Sequence, residues 1–310
     1  MSLIVKKLKK NGPGGSAGRL KLKGSYLDRV IRQALGEDLG KKGDLTVAAL
    51  FPKNFPVKSS LIAKSNGILC GRDVFAMVFT TLSWRFQIKW LAGEGEEIEP
   101  GQVVAEITGP VRETLMAERT ALNFLQRLSG IATLTRRFVQ EAGNRVKILD
   151  TRKTTPNLRL LEKYAVRVGG GLNHRFGLFD LVLIKDNHLT ALQQEKCISK
   201  NQAISLSVEM ARKKSKNRPV EIEVNSLQEA LTAYHSGASI IMFDNARPDD
   251  IKRFARLVRA GRKVILEWSG GVTLENLKRI RQLPVDWVSV GALTHSAVAV
   301  DFSLSFDGKA

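Results

Sequence analysis

The sequence predicts an α/β protein in two parts, an open sheet flanked by helices followed by an α/β barrel. Apolar and polar residues alternate through a turn-rich stretch at residues 93–111, which is typical of antiparallel or mixed sheets. After Val146, short apolar runs recur, and each is followed by a segment of helix length, which indicates repeated βα units and a parallel sheet. The length of 310 residues also favours two domains or one large α/β barrel.

The first part begins with a basic segment and a helix. Residues 1–24 contain seven lysines or arginines, no acidic residue and a glycine-rich stretch, so we expect a flexible basic tail. From Ser25, apolar residues at helical spacing predict a first helix. Residues 113–142 predict a long helical region that is interrupted near Gly130. We assign residues 25–125 to the first domain.

The second part, residues 126–290, contains strand-like runs at 146–150, 181–185, 220–224, 239–244, 263–267 and 287–291. No glycine-rich dinucleotide fingerprint follows the first run, which favours a closed α/β barrel over a doubly wound sheet. Six strands are visible where a full barrel has eight, so we expect incomplete closure.

The composition indicates a soluble chain with a large excess of positive charge. Hydrophobic residues make up 43% and charged residues 25%, which excludes a wholly disordered or collagen-like chain. The formal net charge of +19 indicates anionic partners, namely nucleic acid, anionic lipid, or phosphorylated and carboxylated metabolites. Two cysteines form neither a disulfide framework nor a four-ligand zinc cluster. No apolar run is long enough for a membrane span or a signal-peptide core, so we expect a cytoplasmic protein.

Charged residues and glycines follow the ends of the strand-like runs, where the catalytic residues of α/β barrels collect. Cations in this position predict an anionic substrate, because guanidinium groups match carboxylate and phosphate oxygens. Acids beside them suit a magnesium ion held mostly by substrate phosphates, and glycine turns offer backbone N–H groups to a phosphate. The cations are Arg152, Lys153, Arg175 and Lys185, with His174 beside them and Arg119 upstream; the acids are Glu221, Glu223 and Asp244; the turns are Ser269-Gly270-Gly271 and Ser289-Val290-Gly291. Together they predict a site for a magnesium-bound phosphorylated sugar beside a polycarboxylate.

Seven motifs in this region are long enough to carry a family resemblance. They are ERTALNFLQRLSGIAT at 118–133, DTRKTTP at 150–156, KYAVRVGGGLNHR at 163–175, LIKDNH at 183–188, EIEV at 221–224, IMFDN at 241–245 and SVGALTH at 289–295. In this order and spacing they resemble the quinolinate phosphoribosyltransferase family, also called carboxylating nicotinate-nucleotide pyrophosphorylases. The resemblance runs from about Ser25 to the C-terminus.

The resemblance implies a fold, a reaction and an assembly. The fold would be an N-terminal α/β sandwich and a partly open α/β barrel, with residues 291–310 returning to the first domain. The reaction would convert quinolinate and phosphoribosyl pyrophosphate to nicotinate mononucleotide, carbon dioxide and pyrophosphate, in de novo NAD biosynthesis. It would require Mg²⁺ and no organic cofactor. The assembly would be a homodimer with shared active sites, and higher assembly is left open.

The resemblance also implies roles for individual residues. Arg119 would reach quinolinate in the neighbouring subunit. Lys153, Glu223 and Asp244 would be the catalytic residues, with Lys153 facing the phosphoribosyl donor and the two acids holding its ribose hydroxyls and, directly or through substrate or water, magnesium. The remaining residues would bind substrate: Arg152, His174, Arg175 and Lys185 at the two pyridine carboxylates, and Thr151, Ser269, Gly270, Gly271, Val290, Gly291 and Ala292 at the donor and its 5-phosphate.

Two alternatives and two departures from the family pattern stay open at this point. A member of the same superfamily that acts on nicotinate or on a molybdenum-related metabolite is the nearest alternative, and a basic nucleic-acid-binding protein is the other. Trp268 stands where the family usually has a small residue, and Phe243 where leucine is commoner, so both are expected to affect packing near the phosphate. Glu221 and Glu223 alternate in a strand and should face the same way, and Glu223 is the preferred magnesium residue.

Overall fold

A computed structural model describes residues 25–215, 219–258, 261 and 263–309, with the side chains of 307–309 left out. The predicted basic tail at residues 1–24 lies outside the described residues. The described chain divides into two compact units. The barrel unit comprises residues 137–153 and 171–295, and the sheet unit comprises the described residues up to 136 together with 154–170 and the segment from 296 onwards.

The sheet unit is built on a four-stranded antiparallel sheet with the order β12-β1-β5-β3. Its strands are β1 (Pro56–Ala63), β3 (Gln87–Trp90), β5 (Val103–Pro110) and β12 (Phe302–Lys309), and a small ribbon pairs β2 (Gly67–Ile68) with β4 (Glu97–Ile98). The alternation that predicted an antiparallel sheet is visible in β1, where Val57, Ser59, Leu61 and Ala63 are buried. Because β12 pairs with β1, the C-terminal segment belongs to this unit.

Within the described residues, five helices contribute to the sheet unit. They are α1 (Ser25–Leu39), α2 (Leu45–Leu50), α3 (Arg72–Leu82), α4 (Val111–Ala142), whose last residues lie in the barrel unit, and α5 (Arg159–Val168). Helix α1 contains the predicted apolar positions Leu27, Val30, Ile31 and Leu35 and buries all four.

The predicted interruption of α4 near Gly130 is wrong, because α4 is continuous. Gly130 is required for close approach rather than for a break. A Cβ atom at this position would lie 2.2 Å from the Val298 carbonyl oxygen of the C-terminal segment. The glycine therefore lets a neighbouring backbone contact the helix.

The single predicted boundary at residue 125 differs from the division seen in the structure. Residues 126–136 and 154–170, which were assigned to the barrel, belong to the sheet unit. The reason is a buried polar network on α5: Glu162 is fully buried, pairs with Arg127 on α4 at 2.9 Å and accepts a hydrogen bond from the Thr155 hydroxyl. The chain thus leaves the barrel unit after residue 153 and returns to it at residue 171.

The barrel unit contains a six-stranded parallel sheet with the order β6-β11-β10-β9-β8-β7. In the described ranges its edges are β6 and β7, so the barrel is open, as predicted. The strands are β6 (Lys147–Leu149), β7 (Val182–Ile184), β8 (Val220–Val224), β9 (Ile240–Asp244), β10 (Ile265–Ser269) and β11 (Trp287–Ser289). The helices are α6 (Asp186–Lys196), α7 (Lys200–Lys214), α8 (Leu227–His235), α9 (Pro248–Val258), α10 (Leu274–Ile280) and α11 (Ala292–His295).

The strands of the barrel unit are short and largely buried, as expected where helices cover a parallel sheet. All five residues of β8 are buried, although two of them are Glu221 and Glu223. A charged side chain in a buried strand requires a charged or hydrogen-bonding partner. The two glutamates therefore mark the part of the barrel that carries its chemistry.

Candidate active site

A cavity of about 720 Å³ opens at the carboxyl ends of the six parallel strands. Since parallel strands end at the same edge of a sheet, the loops that follow them converge there. The lining residues are Thr151, Arg152, Lys153, His174, Arg175, Leu183, Lys185, Glu223, Met242, Asp244, Asn245, Ser269, Gly270, Gly271, Val272, Thr273, Ser289, Gly291, Ala292 and His295. The cavity thus brings together the predicted substrate-binding residues of six separate motifs and the Ser269-Gly270-Gly271 turn, with two exceptions that are described below.

Two arginines form a cationic wall of the cavity. Arg175 is buried, and its Nη1 donates to the Leu181 carbonyl at 3.0 Å, which fixes the guanidinium. Burial lowers the pKa of Arg175, and the charge of Arg152 lowers it further. A bound anion would offset the repulsion between these two positive charges. The wall therefore favours an anionic ligand.

Lys185 and Glu223 form an ion pair at the mouth of the cavity, with Nζ 2.6 Å from Oε2. The Lys185 N–H donates to His188 Nδ1 at 2.9 Å at the start of α6. His188 therefore caps the start of α6. The helix fixes the backbone of Lys185, while its side chain remains 46% exposed to the cavity.

Below this ion pair lies a buried charged cluster formed by His174, Glu221 and Glu267, which we call the floor cluster. His174 Nε2 lies 3.1 Å from a Glu221 carboxylate oxygen and 3.7 Å from Glu267 Oε2. Glu267 accepts a short hydrogen bond from the Ser289 hydroxyl. Asp150 holds the histidine backbone by accepting its N–H at 2.9 Å. Both glutamates are fully buried, so they require positive charge nearby, and His174 supplies it.

The electrostatics of the floor cluster favour protonated forms. Burial acts to lower the pKa of His174, but Glu221 and then Glu267 outweigh it and raise the pKa to about 9. Burial and the neighbouring Glu221 raise the pKa of Glu267. The ligand atoms of the three residues lie within 4.8 Å of one another, so the cluster also has the donor types of a metal site. A proton on His174 supplies positive charge to the two carboxylates, as a metal ion would. We therefore assign to the cluster the role of balancing buried charge beneath the cavity.

The acid Asp244 ends β9 and faces the Ser269-Gly270-Gly271 turn that ends β10. Gly270 and Gly271 both have left-handed backbone conformations, with φ of 90° and 56°, which glycine adopts without strain. The Asn276 side chain donates to the Gly271 carbonyl at 2.7 Å and holds the far side of the turn. Glu223 and Asp244 line the same cavity with carboxylate oxygens, which are the ligand type that magnesium prefers.

The loop after β11 approaches the loop after β6 at Gly291. A Cβ atom at Gly291 would lie 2.9 Å from Cδ of Lys153 and 3.2 Å from Nε2 of His295, so glycine leaves room for the lysine stem. The Thr294 hydroxyl donates to the Lys153 carbonyl at 2.6 Å and the Thr151 hydroxyl accepts its N–H at 3.0 Å. Lys153 thus has a fixed backbone and an exposed side chain.

Val290 and Arg119 are the two predicted site residues that do not line this cavity. Val290 is buried, and its N–H donates to the Leu149 carbonyl at 2.9 Å, so it supports the loop from behind. Arg119 lies on α4 in the sheet unit and lines a separate cavity of about 330 Å³ together with Glu37 and Asp38.

The two departures from the family pattern point away from the active-site cavity. Phe243 lies between the cavity-lining Met242 and Asp244, so the alternation of a strand directs it to the opposite face. There its ring packs edge-on against Phe254 of α9. Trp268 pairs with Phe243 in register and is likewise absent from the described lining. Trp268 still contacts the phosphate turn, because its Nε1 donates to the Gly270 carbonyl at 3.4 Å.

Sequence reasoning missed the roles of Glu267 and Asn245. Glu267 was read as the end of a strand, yet it lies two residues before Ser269 and so faces the same side. That spacing could have placed it under the cavity. The sequence places Asn245 at the end of a strand beside Asp244, but it predicts no role for this residue.

An open parallel barrel with convergent cations, acids and a glycine turn defines an enzyme that binds phosphorylated, anionic substrates. The chain matches the family models described as "Quinolinate phosphoribosyl transferase, N-terminal domain" over residues 44–129 and "Quinolinate phosphoribosyl transferase, C-terminal domain" over residues 131–305. The chain therefore belongs to the quinolinate phosphoribosyl transferase family, which confirms the resemblance.

Curated relatives agree with this assignment. The chain is 41% identical over 281 residues to the probable nicotinate-nucleotide pyrophosphorylase (carboxylating) of Bacillus subtilis strain 168, covering 90% of this chain and 92% of the relative. It is 41% identical over 266 residues to the nicotinate-nucleotide pyrophosphorylase (carboxylating) of Rattus norvegicus, covering 84% and 85%.

A solved structure supports the predicted fold class. The crystal structure of NadC from Streptococcus pyogenes is 42% identical, with a TM-score of 0.82 over 91% of this chain and 97% of that chain. The predicted fold class, an α/β sandwich domain with an α/β barrel, is thus confirmed. None of the helices in the described ranges has the length and apolar character that crossing a bilayer requires.

Proposed function

We propose that this protein converts quinolinate and phosphoribosyl pyrophosphate to nicotinate mononucleotide, carbon dioxide and pyrophosphate, as a decarboxylating phosphoribosyltransferase of de novo NAD biosynthesis. The observation that carries the proposal is the meeting of four cations, two acids and a glycine turn in one cavity of a chain that belongs to this family. We further propose a cytoplasmic location, although the relative in Arabidopsis thaliana is described as chloroplastic.

The cationic wall fits a dicarboxylate. Arg152, Arg175 and Lys185 line the cavity with three positive charges, of which that of Lys185 is shared with Glu223. A dicarboxylate supplies two negative charges, which match the two arginines. The wall therefore favours quinolinate over nicotinate, and Arg119 of the partner subunit would complete it.

Other lining residues fit the phosphoribosyl donor. The Ser269-Gly270-Gly271 turn and the Gly291-Ala292 loop present backbone N–H groups to the 5-phosphate, and Thr151 and Lys153 face the pyrophosphate. Glu223 and Asp244 accept hydrogen bonds from the ribose hydroxyls. The two carboxylates also fit Mg²⁺, directly or through substrate and water, and the bound ion would supply charge neutralisation to the pyrophosphate.

The order of the two chemical steps, ribosyl transfer and decarboxylation, follows from where the electron pairs can go. The pyridine nitrogen attacks the anomeric carbon, and the bond to the pyrophosphate oxygen breaks with its electron pair, while Lys153 balances the charge that develops on the leaving group. Glu223 and Asp244 favour the positive charge of the ribosyl ring. Only after the nitrogen is quaternary can the pyridinium accept the electron pair left by departing carbon dioxide, and a proton then takes the place of the carboxylate. Transfer therefore precedes decarboxylation, and no organic cofactor is required.

A direct assay tests this proposal. Purified protein is incubated with Mg²⁺, phosphoribosyl pyrophosphate and either quinolinate or nicotinate, and the mononucleotide is measured by mass spectrometry. We expect product from quinolinate, no product with a chelator, and recovery when Mg²⁺ is returned. Asp244→Asn should raise the Mg²⁺ concentration required. Product from nicotinate alone would favour the alternative substrate, and full activity with the chelator would exclude the magnesium proposal.

The proposed homodimer with shared sites has its own test. Arg119→Ala and Lys185→Ala should each be nearly inactive, but a mixed dimer has one site that carries both native residues. Random subunit exchange at equal amounts makes half of the dimers mixed, so about 25% of wild-type activity should return if the two-fold arrangement is correct. If Arg119 served its own chain, mixing would restore nothing.

A further inference from the structure

Asn245 has an unusual backbone for a residue other than glycine. Its φ is 49°, and among the described residues Asn157 and Cys197 are the other non-glycine residues with positive φ. Its N–H donates to the Ser269 carbonyl at 3.2 Å, which joins the end of β9 to the end of β10. Asparagine tolerates this left-handed conformation better than most residues, and glycine tolerates it at least as well. The backbone alone therefore does not require the asparagine side chain.

The side chain of Asn245 lies between an acid and the glycine turn. Its Nδ2 donates to Asp244 Oδ2 at 3.3 Å. On the other side, a Cβ atom at Gly270 would lie 2.4 Å from Asn245 Oδ1 and 2.6 Å from Nδ2. The amide therefore packs directly on the Gly270 backbone, and it sets the spacing between the Asp244 carboxylate and the turn.

We propose that Asn245 is a positioning residue for the phosphoribosyl donor. Its amide holds the Asp244 carboxylate and the Ser269-Gly270-Gly271 turn at the separation that lets one donor molecule use both. This inference rests on the proposed function, in which the acid holds the ribose hydroxyls and the turn holds the 5-phosphate. The ribose and the phosphate are covalently joined, so their binding groups must keep a fixed distance.

Substitution by glycine separates the side chain from the backbone. Asn245→Gly keeps the left-handed conformation and removes the amide. Asn157→Gly is the matched control, because Asn157 is an exposed asparagine with a φ of 64° in the sheet unit. Asn245→Asp keeps the shape but replaces the donor with a carboxylate beside Asp244.

Two measurements are made on wild type and the three variants. One is calorimetric binding of phosphoribosyl pyrophosphate with Mg²⁺, and the other is the steady-state KM for each substrate. We expect Asn245→Gly to weaken donor binding and raise the donor KM about tenfold, as for the loss of a hydrogen bond to a charged group. Asn245→Asp should weaken both at least as much. The quinolinate KM and the thermal midpoint should stay near wild type, and Asn157→Gly should change nothing.

The outcomes separate this inference from the proposed function. Donor binding by Asn245→Gly equal to wild type would overturn the inference, since the residue would then serve only its backbone. A similar rise in both KM values would also overturn it, because it would indicate a general change of the cavity. Donor binding without turnover of quinolinate by wild type would contradict the proposed function, while the binding measurements would still decide the role of Asn245. Absence of donor binding by wild type would overturn both.

Discussion

Glu221 and Glu223 lie two residues apart on β8 and face the same side of the barrel, yet their surroundings differ. Glu221 belongs to the floor cluster, where it is fully buried against His174. Glu223 pairs with Lys185, whose side chain is 46% exposed, at the edge of the cavity. One strand therefore carries one charge inside the protein and one charge at its binding surface.

The difference shows how depth along a strand determines the use of a charge. A buried carboxylate cannot exchange its partner without a large desolvation cost, so Glu221 is committed to balancing His174. Glu223 is itself nearly buried, but its partner Lys185 is 46% exposed, so this ion pair costs less to separate and Glu223 can leave Lys185 when a substrate offers new partners. The first acid supports the site, and the second is available for chemistry.

The largest expected effect is the difference between the stability lost on removing Glu221 and that lost on removing Glu223. Glu221→Ala removes one partner of a buried ion pair and should lower the free energy of unfolding by about 3–5 kcal/mol. Glu223→Ala should lower it by about 1 kcal/mol or less, because its pair is partly exposed, while it should abolish most activity. Urea unfolding and the mononucleotide assay measure the two quantities. Equal losses of stability in the two variants would contradict the distinction between Glu221 in the floor cluster and Glu223 at the edge of the cavity.

The next effect sharpens the comparison between the two sides of the cavity. Arg175→Ala leaves a quinolinate carboxylate without its partner in a buried position, which should cost about 2–5 kcal/mol of quinolinate binding. Binding of phosphoribosyl pyrophosphate should change much less, because other residues of the cavity are proposed to bind it. Calorimetry with each substrate in turn measures both. An equal loss for the two substrates would mean that Arg175 maintains the whole cavity rather than one wall.

The sequence predicted the residues that line the cavity far better than the buried residues that support them. Lys185, Glu223 and Asp244 each follow a recognisable strand, and strand ends of a parallel sheet meet at one edge. Their convergence could therefore be expected from spacing alone. The continuity of α4 could not, because Gly130 is explained by the approach of Val298, which is remote in sequence.

The floor cluster was harder to predict for the same physical reason. Its members His174, Glu221 and Glu267 come from separate loops and strands. The sequence alone does not show which inward-facing residues of neighbouring strands lie side by side. The parallel register decides this, since Glu221 pairs with Ile240 and Glu267 with Met242. Arg127 and Glu162 present a similar case, because their contact assigns α5 to the sheet unit.

The smallest expected effect is the dependence of stability on pH, which tests whether the floor cluster holds protons. The folded state raises the pKa of His174 from 6.5 to about 9, and burial raises that of Glu267 above its ordinary value of 4.5. A group with a raised pKa stabilises the fold fully below its unfolded pKa, and this contribution is lost as pH rises through the folded pKa. Both residues therefore predict a free energy of unfolding that declines as pH rises towards 9, with each contributing at most about 1.4 kcal/mol per pH unit.

The isosteric change Glu267→Gln isolates this contribution. It removes one titrating group and takes away one of the carboxylates that raise the pKa of His174, so the decline of stability between about pH 6.5 and pH 9 should become shallower. Glu106→Gln is the control, because Glu106 is an exposed glutamate in a surface pair with Lys89. Urea unfolding at pH steps across this range measures the slope for the three proteins. A slope in Glu267→Gln as steep as in wild type would show that Glu267 does not take up a proton on folding.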